Sequence, residues 1–344
     1  MTRKMAWIAK LDLVETHPNA DSLDICTVGG WKCVTKRDEF KTGDLAVYVT
    51  VDAWVPHAIA PFLSKGNEPR EYEGVKGERL RTVRLRNALS QGLLMSIESV
   101  FTGADRRMYW SQLGKDVSEI LGIIKWEAQL PACLAGDAVG LFPSWIPQTN
   151  QERIQNLKEE LEEWRKLDIT WEVTEKCEGT SHTAFYNNEE FGICSRNLQL
   201  KENADNSLWS TAATYDLKNK LTALGRNIAI QSELIGPGIQ KNIYTLTKHE
   251  LRVFDIYDID QARYLTPDER DSIVDQLGLT SAPVLKKSWT IDSANIGDLL
   301  FTAEGKSIIG TAGCEREGLV FKANTKERLS FKAISNKYLI KQPD

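Results

Sequence analysis

The residues whose types and spacing could support catalysis begin with a short segment around Lys176. It reads Glu175-Lys176-Cys177-Glu178-Gly179 and follows the strand-like run Trp171-Glu172-Val173. A lysine at the end of a strand is a candidate nucleophile, and a glycine beside it lets the backbone approach a ligand closely. Taken alone, the segment is equally typical of an exposed lysine in a turn.

Residue types suited to a nucleotide site recur downstream of this segment. They are Arg196, Glu233, Phe254, Glu317, Lys322 and Lys332. Carboxylates suit Mg²⁺ or Mn²⁺, arginine forks suit phosphate, and lysines neutralise phosphate charge during transfer. Each residue has a plain alternative, such as a surface cation, a glutamate paired with a neighbouring cation or a core phenylalanine. The whole set in one domain indicates a nucleotide-binding site.

A nucleophilic lysine needs surroundings that remove its proton. The pKa of a free lysine is about 10.4, so its amine is charged at neutral pH. Desolvation, the cations Lys322 and Lys332 and a divalent metal are expected to lower the pKa of Lys176 and leave its amine uncharged. Cys177 is an alternative nucleophile, but the sequence shows no His/Asp partner pattern for it, and His182 is near it only along the chain.

The first 142 residues are expected to form a β-rich module. Short apolar runs separated by Gly, Pro, Asn and Asp turns are typical of strands. They include Leu23–Val28, Leu45–Val51 and Leu80–Leu85. Several short strands with irregular connections favour a small barrel or sandwich.

This module carries a basic patch, although the net charge of the chain is -5. Its members are Lys76, Arg79, Arg81, Arg84 and Arg86. Strand alternation places Arg79 and Arg81 on one face and Arg84 and Arg86 on the other, and a bulge near Thr82 would unite them. We interpret the patch as a nucleic-acid surface that follows phosphates; the alternative is a solvated strand.

The second part of the chain, 143–344, is expected to be an α+β domain. It opens with the stiff connector Pro143–Pro147, since each proline disfavours helix in the residue before it. Thr149 and Glu152 have the spacing of a capping box, and apolar residues at helical spacing follow, so a linker helix is predicted at about 150–167. Further helices are predicted at Ser207–Leu224 and Pro267–Gly278.

Composition describes an ordinary globular protein of 344 residues, of which 42% are hydrophobic and 26% charged. The six cysteines form no C-x-x-C pair and no histidine has metal-ligand spacing to them, so no zinc site is predicted. No secretory signal or membrane span is recognisable. We therefore expect an intracellular protein, cytoplasmic or nuclear, with free thiols.

The order of these motifs resembles the covalent nucleotidyltransferase superfamily of DNA ligases, RNA ligases and mRNA capping enzymes. Within it, the chain is most similar to ATP-dependent RNA ligases of the Naegleria–Deinococcus type. Residues 142–149 running into 152–156 resemble that family's interdomain signature, and Ser90-Gln91-Gly92-Leu93 resembles a segment of its N-terminal half. The resemblance implies an N-terminal OB-like β-barrel over 1–142 and, over 143–344, an α+β nucleotidyltransferase domain built on antiparallel sheets.

The resemblance also implies a ligase that works in three steps with ATP as the AMP donor and Mg²⁺ or Mn²⁺ as the metal. Lys176 takes AMP from ATP, AMP passes to an RNA 5′-phosphate, and a 3′-hydroxyl attacks to seal the strand. The implied substrates are RNA ends, or nicked duplexes with RNA on the 3′-OH side. A monomer is expected.

Roles for the site residues follow from the same resemblance. The assignments are Lys322 and Lys332 in catalysis, Glu175, Glu178 and Gly179 in the nucleotide site, Arg196 at the ribose or 5′-phosphate, Glu233 at the ribose and metal, Glu317 at the metal, Phe254 on adenine, and Arg153 at the β- or γ-phosphate. Two departures stand out. The superfamily usually has Asp where this chain has Glu178, and the family tends to have Lys and Asp where it has Gln148 and Asn150.

Three alternatives remain. DNA ligases and capping guanylyltransferases share the first step, but they normally carry an OB module after the last motif, and only residues 333–344 follow Lys332 here. A non-catalytic RNA-binding relative is the third, and the retained Lys176, Lys322 and Lys332 argue against it.

Overall fold

Two units make up the fold in the computed structural model, which describes residues 3–101, 109, 112–127, 137–292, 294–310 and 313–341. The units are Met1–Gln129 and Leu130–Gln342. The expected domain boundary at 142/143 lies later than this division. The reason is that residues 138–141 form a strand that pairs with residues 198–200 of the second unit.

The first unit is built from short antiparallel strands. They are β1 Ala6–Lys10, β2 Leu13–Thr16, β3 Leu23–Val28, β4 Trp31–Lys36, β5 Leu45–Thr50, β6 Ala53–Pro56, β7 Arg70–Tyr72, β8 Val75–Arg79, β9 Val83–Leu85, β10 Ala88–Ser90, β11 Gly92–Ser96 and β12 Ile124–Lys125. The sheets have the orders β1-β5-β11, β2-β3-β4, β12-β6-β8-β7 and β10-β9. A 3-10 turn at Pro61–Ser64 and helix α1, Ile97–Val100, complete the described elements.

One predicted strand of this unit is interrupted. Strand β3 has the predicted bounds, but Leu80–Leu85 is not a single strand because β8 ends at Arg79 and β9 begins at Val83. Between them the Leu80 amide donates to the Ala53 carbonyl at 2.8 Å. The four arginines therefore do not follow one alternating strand.

The second unit is an α+β fold on two sheets. Its strands are β13 Ala138–Leu141, β14 Glu152–Arg153, β15 Trp171–Lys176, β16 Thr180–Asn187, β17 Glu190–Cys194, β18 Leu198–Leu200, β19 Ile228–Ile235, β20 Glu250–Asp258, β21 Arg263–Tyr264, β22 Val284–Trp289, β23 Gly318–Ala323 and β24 Ser330–Ile334. The sheet orders are β13-β18-β17-β16-β19-β20-β21 and β14-β24-β23-β15-β22. Pairing is antiparallel except between β14 and β24.

The described helices of this unit are short. They are α2 Lys158–Trp164, α3 Ser207–Thr214, α4 Leu217–Leu224, α5 Pro267–Gln276, α6 Ile296–Thr302 and α7 Asn336–Lys341. The helix predicted over Ser207–Leu224 is two helices, separated at Asp216, whose φ of 54° is left-handed. Helix α5 begins with a capping box between Thr266 and Glu269.

The linker helix predicted at about 150–167 is also shorter than expected. Glu152 and Arg153 form β14, which pairs in parallel with β24, so Thr149 cannot cap a helix there. A 3-10 turn, Ile154–Asn156, follows before α2. The apolar residues that suggested a longer helix are still buried together, because Ile154 and Leu161 join one cluster with Trp171.

The order of the strands brings the motifs to one place. Strand β15 ends at Lys176 and β16 begins at Thr180, so the turn between them carries Gly179. Strand β15 lies beside β23, and β16 lies beside β19, so this turn joins the two sheets.

Over the described residues, no helix is long and apolar enough to cross a membrane. The described cysteines, Cys26, Cys33, Cys177, Cys194 and Cys314, are free. Cys133 lies outside the described residues.

Candidate active site

A cavity of about 490 Å³ lies in the second unit at the end of β15. Ten residues singled out in the sequence line it: Glu175, Lys176, Glu178, Gly179, Arg196, Glu233, Phe254, Glu317, Lys322 and Lys332. Residues separated by nearly half the chain thus share one site.

Lys176 carries a charged amine in this site. Its Nζ atom lies 2.7 Å from Glu317 Oε1, and the side chain is 27% exposed. Burial lowers the pKa of Lys176, but Glu317 and Glu233 outweigh it, so the pKa is raised. The expectation of a lowered pKa for Lys176 is wrong. The negative charges of Glu317 and Glu233 raise the pKa by more than burial lowers it.

Glu233 faces the same lysine from β19. Burial raises its pKa to about 7; Lys176 opposes this and Glu317 adds to it. Gly179 permits the close approach of the turn to this strand, because a Cβ there would lie 2.3 Å from the Leu234 carbonyl oxygen and 2.8 Å from Glu233 Cγ. Packing against β19 therefore requires a glycine at this position.

Lys322 is held by a buried acid that the sequence analysis did not assign. Its Nζ lies 3.0 Å from Asp255 Oδ1, with both side chains 3% exposed. Arg328 donates to both oxygens of Asp255, at 2.9 and 2.6 Å. Burial lowers the pKa of Lys322 to about 8, although Asp255 opposes this shift.

Lys332 lies on β24 beside Arg153. The two residues are in register across the parallel β14–β24 pair. Burial, followed by the charges of Lys176 and Arg153, lowers the pKa of Lys332 to about 7. Arg153 is thus placed next to the cationic part of the site, although it does not line the cavity itself.

Phe254 is half-buried on β20 and lines the cavity. Its carbonyl oxygen accepts hydrogen bonds from Lys322 and from Arg270. Arg270 is 2% exposed and makes a bidentate pair with Glu172, at 2.7 and 2.8 Å. Two buried cations therefore fix the backbone that presents the Phe254 ring.

Glu175 and Glu178 have different surroundings. The Glu175 carboxylate is buried and accepts hydrogen bonds from the Ser307 hydroxyl and, at 3.1 Å, from the Ile308 amide. It therefore anchors a loop, while the residue still borders the cavity. The Glu178 carboxylate accepts a hydrogen bond from Tyr338, and burial raises its pKa.

Arg196 lies at the exposed rim of the cavity. Its guanidinium donates to Asn150 Oδ1 at 2.9 Å, and its charge lowers the pKa of Glu233. Because Asn150 is neutral, this hydrogen bond does not compensate the positive charge of Arg196.

Sequence reasoning missed several residues of the site. Asp255 pairs with Lys322 and is itself paired with Arg328. The Tyr244 hydroxyl accepts a hydrogen bond from the Glu178 amide at 2.7 Å, and Tyr338 borders the cavity. Asp255 was adjacent to Phe254 in an apolar strand, and a buried charge in such a strand is a signal for a paired cation. Tyr244 and Tyr338 gave no signal.

The alternative nucleophile Cys177 is not activated. Burial raises the pKa of its thiol. His182 is itself buried, which lowers its pKa to about 4, and its ring nitrogens face the Leu208 carbonyl and the Ser232 hydroxyl. Neither residue is set up as a catalytic pair.

The arginines of the first unit are divided between two settings. Arg79 is paired with Asp52 at 2.5 Å and lies 3.8 Å over the Trp126 ring. Arg81, Arg84 and Arg86 are exposed, the last two in the β9–β10 hairpin. Arg79 is thus held by contacts inside its unit.

A divalent metal would find two oxygen ligands here. Glu233 and Glu317 line the cavity, and Glu317 raises the pKa of Glu233, as two close like charges do. No group of three His, Cys, Asp or Glu side chains in the described part of the chain is arranged to hold a metal. The pair fits a hard cation that completes its coordination with phosphate oxygens and water.

Fold and site together are those of a nucleotide-binding enzyme, and comparisons with known proteins identify its family. A family model described as RNA ligase matches residues 169–334, and one described as an OB-fold domain matches residues 5–97. No curated protein matches significantly in sequence.

Solved structures of Naegleria gruberi RNA ligase are similar over the whole chain. A mutant with AMP and Mn is 40% identical, covers 99% of each chain and has a TM-score of 0.82. A mutant with ATP and Mn, 40% identical with a TM-score of 0.82, covers 99% of this chain and 100% of that one. The form with PPi is 40% identical, covers 99% of each chain and has a TM-score of 0.81. The chain belongs to the RNA ligase family, and the predicted α+β fold with an N-terminal OB module is confirmed.

Proposed function

We propose that this RNA ligase uses ATP to join 3′-OH and 5′-phosphate ends, through a lysyl-AMP at Lys176 and an RNA-adenylate. The observation that most supports this proposal is the ion pair of Lys176 with Glu317, in a cavity that Lys322 and Lys332 also line. Support comes from the similar Naegleria gruberi structures, which contain ATP, AMP or PPi.

In the first step, Lys176 Nζ attacks the α-phosphorus of ATP and the bond to the β-phosphate breaks, which releases pyrophosphate. The ammonium must lose a proton first, and Glu317, whose Oε1 lies 2.7 Å away, accepts it and passes it to solvent. Lys322 and Lys332 neutralise charge on the phosphates as it shifts to the leaving group. Since the pKa of Lys332 is lowered to about 7, an incoming anion will favour its charged form.

The remaining groups position the nucleotide and the metal. Phe254 stacks on adenine, Arg196 contacts the ribose or the RNA 5′-phosphate, and Arg153 reaches the β- or γ-phosphate. Glu233 and Glu317 would hold Mg²⁺ or Mn²⁺, which supplies positive charge beside the phosphates. The similar structures with ATP or AMP contain Mn.

The RNA substrate is a nick with RNA on the 3′-OH side. Exposed Arg81, Arg84 and Arg86 on the first unit provide a cationic surface for its phosphates. A nick presents the 5′-phosphate and 3′-hydroxyl together, so it supplies the in-line geometry that phosphoryl transfer requires.

Covalent labelling tests the proposal. The protein is mixed with radiolabelled ATP or GTP and Mg²⁺ or Mn²⁺, and label on the protein is measured. We expect label from ATP that is abolished in Lys176→Ala and retained in Lys286→Ala, which removes an exposed lysine on β22. Label from GTP instead would mean a capping-type enzyme, and no label from either nucleotide would favour a non-catalytic RNA-binding protein.

A sealing assay tests the substrate. Matched nicked duplexes carry RNA or DNA on each side of the break. We expect sealing only when RNA lies on the 3′-OH side; equal sealing of an all-DNA nick would indicate a DNA ligase.

A further inference from the structure

Tyr338 is the residue of helix α7 that borders the cavity. The helix follows directly after β24, and the Tyr338 amide donates to Ser335 Oγ at 3.2 Å. The buried Ser335 amide in turn donates to the Glu317 carbonyl at 2.9 Å. The start of this helix is therefore fixed against the backbone of a site glutamate, Glu317.

The partner of Tyr338 is Glu178, two residues after the reactive lysine. The Tyr338 phenol donates a hydrogen bond to the Glu178 carboxylate. The Glu178 amide donates to the Tyr244 hydroxyl at 2.7 Å. Two tyrosines thus fix this residue, one at its backbone and one at its side chain.

One oxygen of this carboxylate remains unused. Glu178 Oε2 is buried and has no hydrogen-bond partner in the part of the chain that the structure describes. A buried acceptor without a donor is costly, so its position beside the cavity suits an atom that accepts a hydrogen bond from a bound ligand.

The exposed side of α7 is held less firmly. Lys337 pairs with Glu304 at 2.9 Å and Lys341 pairs with Glu315 at 2.8 Å, but the two lysine side chains are 58% and 63% exposed. Ion pairs this exposed contribute little in water. Of the contacts of α7 described here, the hydrogen bond from Tyr338 to Glu178 is therefore the best candidate to influence the chemistry in the cavity.

We propose that Tyr338 is a positioning residue that orients the Glu178 carboxylate, so that Oε2 accepts a hydrogen bond from a donor on the bound nucleotide or the RNA end. The inference rests on the proposed adenylyl transfer at Lys176. A glutamate is long enough to reach Tyr338 here, whereas an aspartate at this position would be one methylene shorter. The contact thus depends on a residue in which this chain departs from the superfamily pattern.

A double-mutant cycle tests the coupling. Tyr338→Phe removes only the hydroxyl, Glu178→Asp withdraws the carboxylate, and the double variant combines them. We expect Tyr338→Phe to slow one chemical step at least about tenfold, as for loss of a hydrogen bond to a charged group. In the Glu178→Asp background, Tyr338→Phe should have no further effect. Tyr186→Phe makes the same chemical change outside the cavity and should leave all rates within about twofold of the parent.

Two separate assays locate the donor. Single-turnover formation of lysyl-AMP from ATP reports a donor on the nucleotide, and sealing of pre-adenylated nicked RNA reports a donor on the RNA end. Slowing of either step with an unchanged melting temperature supports the inference. It is overturned if Tyr338→Phe changes both rates less than about twofold, if the two substitutions are additive, or if the rates fall only with the melting temperature. A parent protein that forms no lysyl-AMP would instead contradict the proposed function.

Discussion

The substitution Asp255→Asn tests whether one buried carboxylate organises the cationic half of the site. Asp255 is 2% exposed and accepts hydrogen bonds from Lys322 at 3.0 Å and from Arg328 at 2.9 and 2.6 Å. Asparagine has the same shape but no charge. The variant therefore leaves two cations close together with no anion between them.

The size of the effect follows from this geometry. Burial alone would raise the pKa of Asp255, but Arg328 and Lys322 lower it from 3.8 to about 2, which corresponds to about 2 kcal/mol of stabilisation at neutral pH. Removing one partner of a buried pair costs about 3–5 kcal/mol. We expect the free energy of unfolding to fall by about 2–5 kcal/mol and the melting temperature by at least about 4 °C.

The dependence on pH has a definite sign. Because the folded pKa of Asp255 is lowered, its stabilisation is complete above about pH 4 and is lost as pH falls toward about 2. The free energy of unfolding of the variant should therefore not show the part of the decrease at low pH that comes from protonation of Asp255. Its Lys322 should also have a pKa below the parent value of about 8, because Asp255 no longer opposes desolvation.

Thermal unfolding at several pH values and lysyl-AMP formation with ATP measure both effects. Asp275→Asn, which changes an exposed acid on α5, serves as the control and should melt like the parent. An Asp255→Asn protein with parental melting temperature and parental lysyl-AMP formation would refute the reasoning, since it would show that the two cations do not need the carboxylate.

Three further predictions concern other parts of the molecule. Gly179→Ala should lower the free energy of unfolding by about 1–3 kcal/mol and weaken ATP binding, because its Cβ would lie 2.3 Å from the Leu234 carbonyl oxygen. The melting temperature measures the loss of stability and titration calorimetry measures ATP binding, and parental values for both would contradict the prediction. Glu317→Gln should lower the pKa of Lys176, since Glu317 raises it. An amine-reactive reagent should therefore modify Lys176 faster at pH 8 without nucleotide, as measured by mass spectrometry. Slower modification would show that Glu317 does not raise the pKa of Lys176. Arg86→Ala should weaken RNA binding and reduce the slope of log affinity against log salt by about one; an unchanged slope would remove this arginine from the proposed RNA surface.

The strands that carry the site were accessible from sequence because each is a short run rich in apolar residues. The runs Ile228–Leu234 and Leu251–Tyr257 lie within β19, Ile228–Ile235, and β20, Glu250–Asp258. Their order also brought Phe254 to the cavity, which periodicity alone could not specify.

The charge state of Lys176 was not accessible in the same way. It depends on the 2.7 Å contact with Glu317, which is remote in sequence. The sequence indicates which charged residues are present, but the pKa depends on which of them lies nearest. The same holds for Asp255, whose partner Arg328 comes from the connection between β23 and β24.

The linker helix shows a third limit. Thr149 and Glu152 have the spacing of a capping box, yet Glu152 forms backbone pairs with β24. A local capping preference contributes about 1 kcal/mol, and hydrogen bonds to a sheet outweigh it. Tertiary pairing of this kind leaves no periodic pattern in the segment itself.

The parallel pairing of β14 with β24 determines where the chain tolerates truncation. Sheet order runs β14-β24-β23, so a fragment that starts at residue 158 would turn β24 into a bare outer strand. Unpaired strand edges recruit other chains and promote aggregation. A fragment that retains Glu152 and Arg153 keeps that edge covered, so the short segment before α2 also protects the border of this sheet.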